Sequence, residues 1–568
     1  MDRGATTAQP HGTTVELNLS ELFTAIAFRH ADRPAVVRGD GILSYGGLAD
    51  RSDQLGHYLA ERGLGCFAER SDLQGHQTGQ HLLAQYLHNG QEYVEGLLGS
   101  YRARVAPFNV NYLYRSDELL YLLRDAAPAA IQYHASFAPA LAEVLPALPA
   151  PPLLLQVRDG SGQPLLPGAV DYEEALASVA PSVNTTPSPD DLYVIYTGGT
   201  TGMPKGVLWR QADVAVSTLG LINRREEREW RTIAEIVDAV RATPSRLLPC
   251  APLMHGASQW AVLGSLCEGN TIVFPDRTEG FNGADVVRAI DRHHVNTMTI
   301  VGDAFAYPLV EALERSHADV SSLRVLVSGG AALHSGIRRR LQELVPQLRV
   351  IENIGSSESG IQGSRHSHVA QPAPGDAFVS DATTVVVSED YGSFLSPGHE
   401  STGWLARRGR IPLGYLGDAA KTARTFPVVD GTRVTIPGDR ARLLADGRVN
   451  LLGRDSLTIN TGGEKVFVEE VEAVLKDHPE VTDALVCGRP SQRWGSEVAA
   501  VVQAGPGIDT TALLEFCRGR LARYKVPKSV HLVERIRRGP AGKGDYQWAA
   551  RQVLQPINST AASAKETE

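Results

Sequence analysis

Tyr193-Val-Ile-Tyr-Thr-Gly-Gly-Thr-Thr-Gly-Met-Pro-Lys-Gly-Val207 is the stretch on which the reading of this 568-residue chain turns. A β-branched and aromatic run passes directly into a loop, Thr197–Gly206, that holds four glycines, three threonines and a lysine. Glycines let backbone N–H groups turn inward and approach phosphate oxygens. The hydroxyls of Thr197, Thr200 and Thr201 add donors, and Lys205 adds a compact positive charge. With Gly198, Gly199 and Gly202 these residues make, in chemical terms, a triphosphate cradle. Pro204 stands where the standard nucleotide P-loop has a glycine before its lysine, so this is a different loop. Lysine occurs at only eight positions in the chain, which makes one inside a glycine-rich segment more telling.

Outward from that loop, strand and helix patterns alternate over the first four-fifths of the chain. This predicts an α/β fold: a large multi-layer N-terminal domain with largely parallel sheets. Glu92–Arg104 reads as an amphipathic helix feeding the apolar segment Val105–Val110. Asn296–Val301 and Arg324–Val327 read as strands ending at glycine or serine, where open α/β sheets hold ligands. The Ala/Pro-rich stretch Ala126–Pro152 is expected to be a surface helix and loop, and the charged run Arg224–Arg231 a solvated helix face. Arg440–Leu452 reads as a hairpin around Asp446–Gly447. Beyond it a small α+β domain is expected, with helices over Val468–Lys476 and Thr511–Arg523 and strands over Val481–Cys487 and Val498–Val502. The predicted division is 1–453, 454–552 and a disordered tail, 553–568.

A net charge of -9 offers no footprint for nucleic acid. Five scattered cysteines, without metal-ligand spacing, fit a reducing compartment. Neither a signal peptide nor a run of ~20 apolar residues is seen, so a cytoplasmic location is expected.

Thr197–Gly206 resembles the signature loop of the adenylate-forming superfamily, with Gly198 where the family usually has serine. Further motifs follow in the family's order over roughly residues 20 to 552. Pro252-Leu-Met-His-Gly256 is similar to the segment whose histidine, here His255, sits beside the carboxylate pocket. Ser328-Gly-Gly-Ala-Ala-Leu333 resembles the adenine-packing segment, which implies Gly329, Gly330 and Ala331 there. Ile354-Gly-Ser-Ser-Glu358 is similar to the family's Tyr-Gly-x-Thr-Glu pattern. Isoleucine replaces the adenine-stacking tyrosine, and Ser357 replaces threonine. The resemblance implies that Glu358 and Thr197 hold Mg²⁺, a hard cation suited to phosphate oxygens. It implies ribose contacts for Asp439, a ribose or phosphate contact for Arg454 and a hinge at Ser456, where the family has Asp or Lys, which makes the small α+β domain mobile. Thr461-Gly-Gly-Glu-Lys465 resembles the loop lining the coenzyme A channel, implying Gly462 and Gly463. Arg538-Gly-Pro-Ala-Gly-Lys-Gly-Asp545 carries Lys543, by resemblance the lysine that meets the substrate carboxylate and the α-phosphate.

The activity this implies is ATP-dependent ligation of a carboxylic acid to coenzyme A through an acyl-adenylate. Lys543, Glu358 and His255 are its implied catalytic residues. Trp260, Phe305 and Gly355 are candidates for the acyl pocket, which points to a fatty or similarly bulky hydrophobic acid. Expected substrates and cofactors are ATP, Mg²⁺, coenzyme A and a small carboxylic acid, with no nucleic acid. A peripheral membrane contact and a homodimer are further expectations. Three alternatives stay open: delivery of the acyl-adenylate to a carrier protein, a catalytically silent nucleotide-binding relative, and a luciferase-like oxygenase. Acyl-CoA formation separates the first, and acid-dependent pyrophosphate release the second. The Leu73–Gln80 segment matches the family poorly.

Overall fold

The computed structural model describes residues 14–182, 184–198, 203–369, 375–461, 464–491, 494–505, 507–539 and 542–555. Gly199, Thr200, Thr201, Gly202, Gly462 and Gly463 therefore lie outside the described residues, as does the tail from residue 556. The chain forms two compact units. The first comprises Met1–Thr299, His317–Arg324 and Arg410–Phe426, and the second Ile300–Ser316, Val325–Gly409 and Pro427–Glu568.

The first unit is α/β with mostly parallel sheets. One sheet runs Ala106–Asn109, Leu82–Tyr86, Ala130–His134, Leu153–Val157, Ala169–Asp171, parallel throughout. Leu82–Tyr86 and Ala130–His134 are buried at every position, so they carry near-continuous apolar runs instead of alternation. The amide groups of the two glutamines they bury donate to backbone carbonyls: Gln85 Nε2 to Tyr93 O at 2.9 Å and Gln132 Nε2 to Glu92 O at 3.0 Å. A second sheet pairs Arg246–Pro249 with Thr271–Phe274 and Thr297–Ile300, and Thr271–Phe274 with Pro34–Arg38, all parallel. Gly41–Ser44 closes its edge antiparallel. The glycine-rich segment is set in a third, antiparallel sheet of Gly414–Tyr415, Lys205–Arg210 and Leu192–Thr197.

In the second unit Val325–Gly329 and Arg349–Ser356 are parallel, and Gly360–Ser367 returns antiparallel. An antiparallel sheet built around Gly403–Arg408 follows. It includes the expected hairpin, Asp439–Leu443 with Val449–Arg454. The remaining sheet pairs Val481–Ser491 with Gly495–Ala504 and adds Ile459–Thr461, Glu464–Val466 and Ser529–Val533. Helices Val468–Lys476, Thr510–Arg518 and Tyr546–Val553 belong to the same segment.

Three expectations need correction. Ala126–Pro152 contains the buried strand Ala130–His134, because its alanines and Leu141 pack inward beneath the sheet. Arg224–Arg231 is no helix face. It is a hairpin of Ile222–Asn223 and Arg228–Glu229, in which Arg228 pairs with Glu226 and Glu235. The last helix keeps Val553, 1% exposed, inside the fold, so the tail cannot begin at 553. Among the described residues, no helix is long and apolar enough to cross a membrane.

Candidate active site

Lys543, Arg454, Asp439 and Glu358 come together within the second unit. Asp439 opens one hairpin strand and Arg454 ends the other, and the register makes them direct cross-strand partners. A register shift after Arg440 accompanies this pairing. Arg454 Nε lies 3.1 Å from Asp439 Oδ1. The Arg454 backbone N–H donates to Glu469 Oε1 at 3.2 Å, so the helix Val468–Lys476 fixes the hairpin's end. Glu358 occupies the three-residue turn between Arg349–Ser356 and Gly360–Ser367, braced by Ser359 Oγ, which accepts from the Ser356 N–H at 3.1 Å. That turn needs Gly355, where an added Cβ would stand 2.1 Å from the Gly360 carbonyl oxygen.

Lys543 sits in a tight turn closed by Gly539 N–H to Lys543 O at 2.8 Å and Gly542 N–H to Gly539 O at 2.9 Å. Asp545 then caps the final helix through Trp548 N–H at 2.8 Å. The Lys543 side chain reaches solvent while standing in dense protein surroundings. Desolvation and the Arg454 charge pull its pKa below that of an ordinary lysine, against the opposing pull of Glu358 and Asp439. Asp439 is pushed above the usual carboxylate range, chiefly by burial and also by Glu358, while Arg454 and Lys543 act the other way. Two carboxylates, Asp439 and Glu358, and two cations, Arg454 and Lys543, are thus within electrostatic reach of one another.

In the first unit, Thr197 and Lys205 face each other across the strand pair. Lys205 Nζ lies 3.6 Å from Asp418 Oδ2. Desolvation works against its charge, but the Tyr121 hydroxyl with Asp125 and Asp418 prevails and holds its pKa above the ordinary value. Gly198 is exposed, with open space where a Cβ would be. His255 caps the helix Gly256–Cys267, its carbonyl accepting from Ser258 and Gln259 N–H. Trp260, on that helix, is 8% exposed and packs in the main apolar core.

In the second unit, Gly329 ends a strand and Gly330 and Ala331 begin the turn after it. Phe305 is buried in the helix Gly302–Arg315. Ile354 is buried against Val386, Leu405, Ala441 and Val449. Ser357 lies beside Glu358 in the turn, and Ser456 is exposed in the short turn Asp455–Leu457.

Two contributors escaped the sequence reading. Asn109, 4% exposed, donates from Nδ2 to Tyr196 O at 2.9 Å and Met254 O at 2.7 Å, and accepts from Tyr196 N–H at 2.7 Å. It ties the residue before Thr197 to the residue before His255. Glu469 was visible only as part of a helix, because its hold on the Arg454 backbone depends on how that helix packs.

The model of AMP-binding enzymes matches residues 23–416, and that of the AMP-binding enzyme C-terminal domain matches residues 470–543. The chain is 49% identical over 548 residues to the medium-chain acyl-CoA ligase Mig of Mycobacterium avium, covering 95% of this chain and 99% of that protein. It is 39% identical over 544 residues to the medium/long-chain-fatty-acid–CoA/3-oxocholest-4-en-26-oate–CoA ligase of Mycobacterium tuberculosis, covering 95% and 96%. The fold resembles the crystal structure of the anthranilate CoA ligase AuaEII in complex with anthranoyl-AMP. The TM-score is 0.79 at 20% identity, covering 95% of this chain and 98% of that one. The chain belongs to the AMP-binding enzyme family, among its acyl-CoA ligases.

Proposed function

We propose that the chain joins a medium- to long-chain or similarly bulky hydrophobic acid to coenzyme A, passing through an acyl-adenylate. The observation that carries this reading is the meeting of Lys543, Arg454, Asp439 and Glu358, drawn from distant segments, in a chain 49% identical to a medium-chain acyl-CoA ligase.

In the first half-reaction the acid's carboxylate attacks the α-phosphorus of ATP and pyrophosphate leaves. Two anions must meet, so the protein's work is positioning and charge neutralisation. Lys543 would stand between the carboxylate and the α-phosphate. Lys205, kept charged by its neighbours, would meet the leaving phosphates with Thr197. Asp439 would accept from the two ribose hydroxyls, with Arg454 orienting it. Ser357, Gly329, Gly330 and Ala331 would flank the nucleotide, and His255, Phe305 and Gly355 the acid. Trp260 would act from behind this surface.

The donors Thr197 and Glu358 offer only oxygen, which suits Mg²⁺. Among the described residues there is no cluster of three His, Cys, Asp or Glu fit to cage a metal. A magnesium ion held by one carboxylate, a hydroxyl and the substrate's phosphates fits that set. When bound, it would supply charge neutralisation at the phosphates.

In the second half-reaction the coenzyme A thiol attacks the adenylate carbonyl and AMP leaves. We assign residues 454–552 as a lid that turns about Ser456 between the two steps, withdrawing Lys543. A cytoplasmic location, a peripheral membrane contact for collecting the acid and a homodimer belong to the same reading. A panel of carboxylates read by pyrophosphate release and acyl-CoA formation tests it. Medium- and long-chain acids should lead. Acyl-AMP without acyl-CoA would turn the assignment toward a carrier-protein acceptor.

A further inference from the structure

Lys476 ends the helix Val468–Lys476 and is only 9% exposed at its side chain. Its Nζ lies 3.4 Å from Asp303 Oδ2 and 3.2 Å from Asp483 Oδ1. Asp483 in turn holds Arg538, with Nη2 to Oδ1 at 2.6 Å and Nε to Oδ2 at 2.7 Å. Arg538 Nη1 then donates to Gly542 O at 2.9 Å, one residue before Lys543. A continuous line of charge thus runs from Asp303, in the first turn of Gly302–Arg315, to the turn that presents Lys543.

Two more contacts meet that helix and its neighbour. Gly542 has φ +70, and a Cβ there would stand 3.0 Å from Val301 O and 3.1 Å from Ala304 Cβ, so the Lys543 turn lies directly on the helix's first turn. His334 Nε2, at the start of Ser335–Leu344, lies 3.0 Å from Asp477 Oδ1. The receiving surface is itself tightly set. Gly302 has φ +52 and a Cβ on it would meet Ala332 O, while Asp303 Oδ1 accepts from His334 N–H at 2.8 Å.

We propose that Asp303 and Lys476 are positioning residues for adenylate formation: their contact seats the segment bearing Lys543 on the helix Gly302–Arg315. This rests on the two-step reading above. The partners are divided in a way that suits a reversible link. Lys476, Asp483 and Arg538 all belong to the segment proposed to turn, so rotation leaves Lys476 paired with Asp483 and returns Asp303 to water. Neither charge is then stranded in the interior, which is the costly outcome when a buried pair is broken. The link therefore favours one pose without locking it.

The test separates the half-reactions in the full-length enzyme. Asp303→Asn keeps the acceptor for His334 N–H and removes only the charge facing Lys476, so it spares the fold. Lys476→Met removes the other partner. Acid-dependent pyrophosphate–ATP exchange should fall about tenfold in each variant, and the double variant should fall no further, as expected for one shared contact. Thioester formation from supplied acyl-AMP should stay within about twofold of the parent. Should Lys476→Met fail to fold, Asp303→Asn alone carries the comparison. Unchanged exchange, equal loss in both half-reactions, or multiplying effects in the double variant would each overturn the proposal. Absence of acid-dependent exchange in the parent enzyme would instead overturn the two-step reading itself.

Discussion

Arg454 and Asp439 are cross-strand partners, their side chains 3.1 Å apart from Nε to Oδ1, and Lys543 and Glu358 act on the same carboxylate. A hairpin register thus converts two residues fifteen positions apart into one ion pair.

Asp439→Asn should weaken ATP use. A carboxylate accepting from two hydroxyls makes charge-assisted bonds, each worth about 1.5–3 kcal/mol. The loss expected in kcat/KM for ATP is about tenfold or more, with little change in KM for coenzyme A. Steady-state kinetics with each substrate varied in turn checks this.

Lys543 should give the adenylation step an alkaline limb below the ordinary lysine range. Its folded pKa lies under 10.5, so the required ammonium is lost as pH rises through that lowered value. In a kcat/KM profile for pyrophosphate exchange, which reports the free enzyme, activity should decline on that limb. Lys543→Arg, which cannot be deprotonated, should retain only residual activity, without the limb.

Glu472 should shape stability against pH. Burial, aided by Glu469, pushes its carboxyl from 4.5 up to about 7, against Lys476, the Val486 N–H and the Tyr546 hydroxyl. Between those values the folded state keeps the proton while the unfolded chain has released it, so stability falls as pH rises from 4.5 through about 7. Glu472→Gln should remove that part of the slope and gain on the order of 3 kcal/mol at pH 8. Denaturant midpoints at pH 5 and pH 8 decide it.

Gly355→Ala should damage the turn that bears Glu358. The Gly360 carbonyl oxygen leaves no room for a methyl, and forcing one into a packed site costs about 1–3 kcal/mol. A lowered melting temperature together with reduced exchange activity is the expected pair of results.

Much of this fold was legible because its signals are local. The helix Val468–Lys476 and the hairpin around Asp446–Gly447 follow from periodicity and turn chemistry. Ala130–His134 was hidden because a strand buried on both faces, set among alanines and prolines, shows no alternation. The hairpin inside Arg224–Arg231 was hidden because its charges meet partners elsewhere, Glu229 reaching Arg410 at 2.6 Å. The site divides in the same way. Lys543, Asp439, Arg454 and Glu358 lie in recognisable motifs, whereas Asn109 and Asp303 gain meaning only from contacts across 87 and 173 positions.

The most direct measurement is adenylate synthesis by Lys543→Ala, compared with thioester formation by the same variant from supplied acyl-AMP. The account predicts that pyrophosphate exchange drops at least a hundredfold while the thioester step stays within a few-fold of the parent. Exchange at the parent's rate, or an equal collapse of both steps, would contradict it.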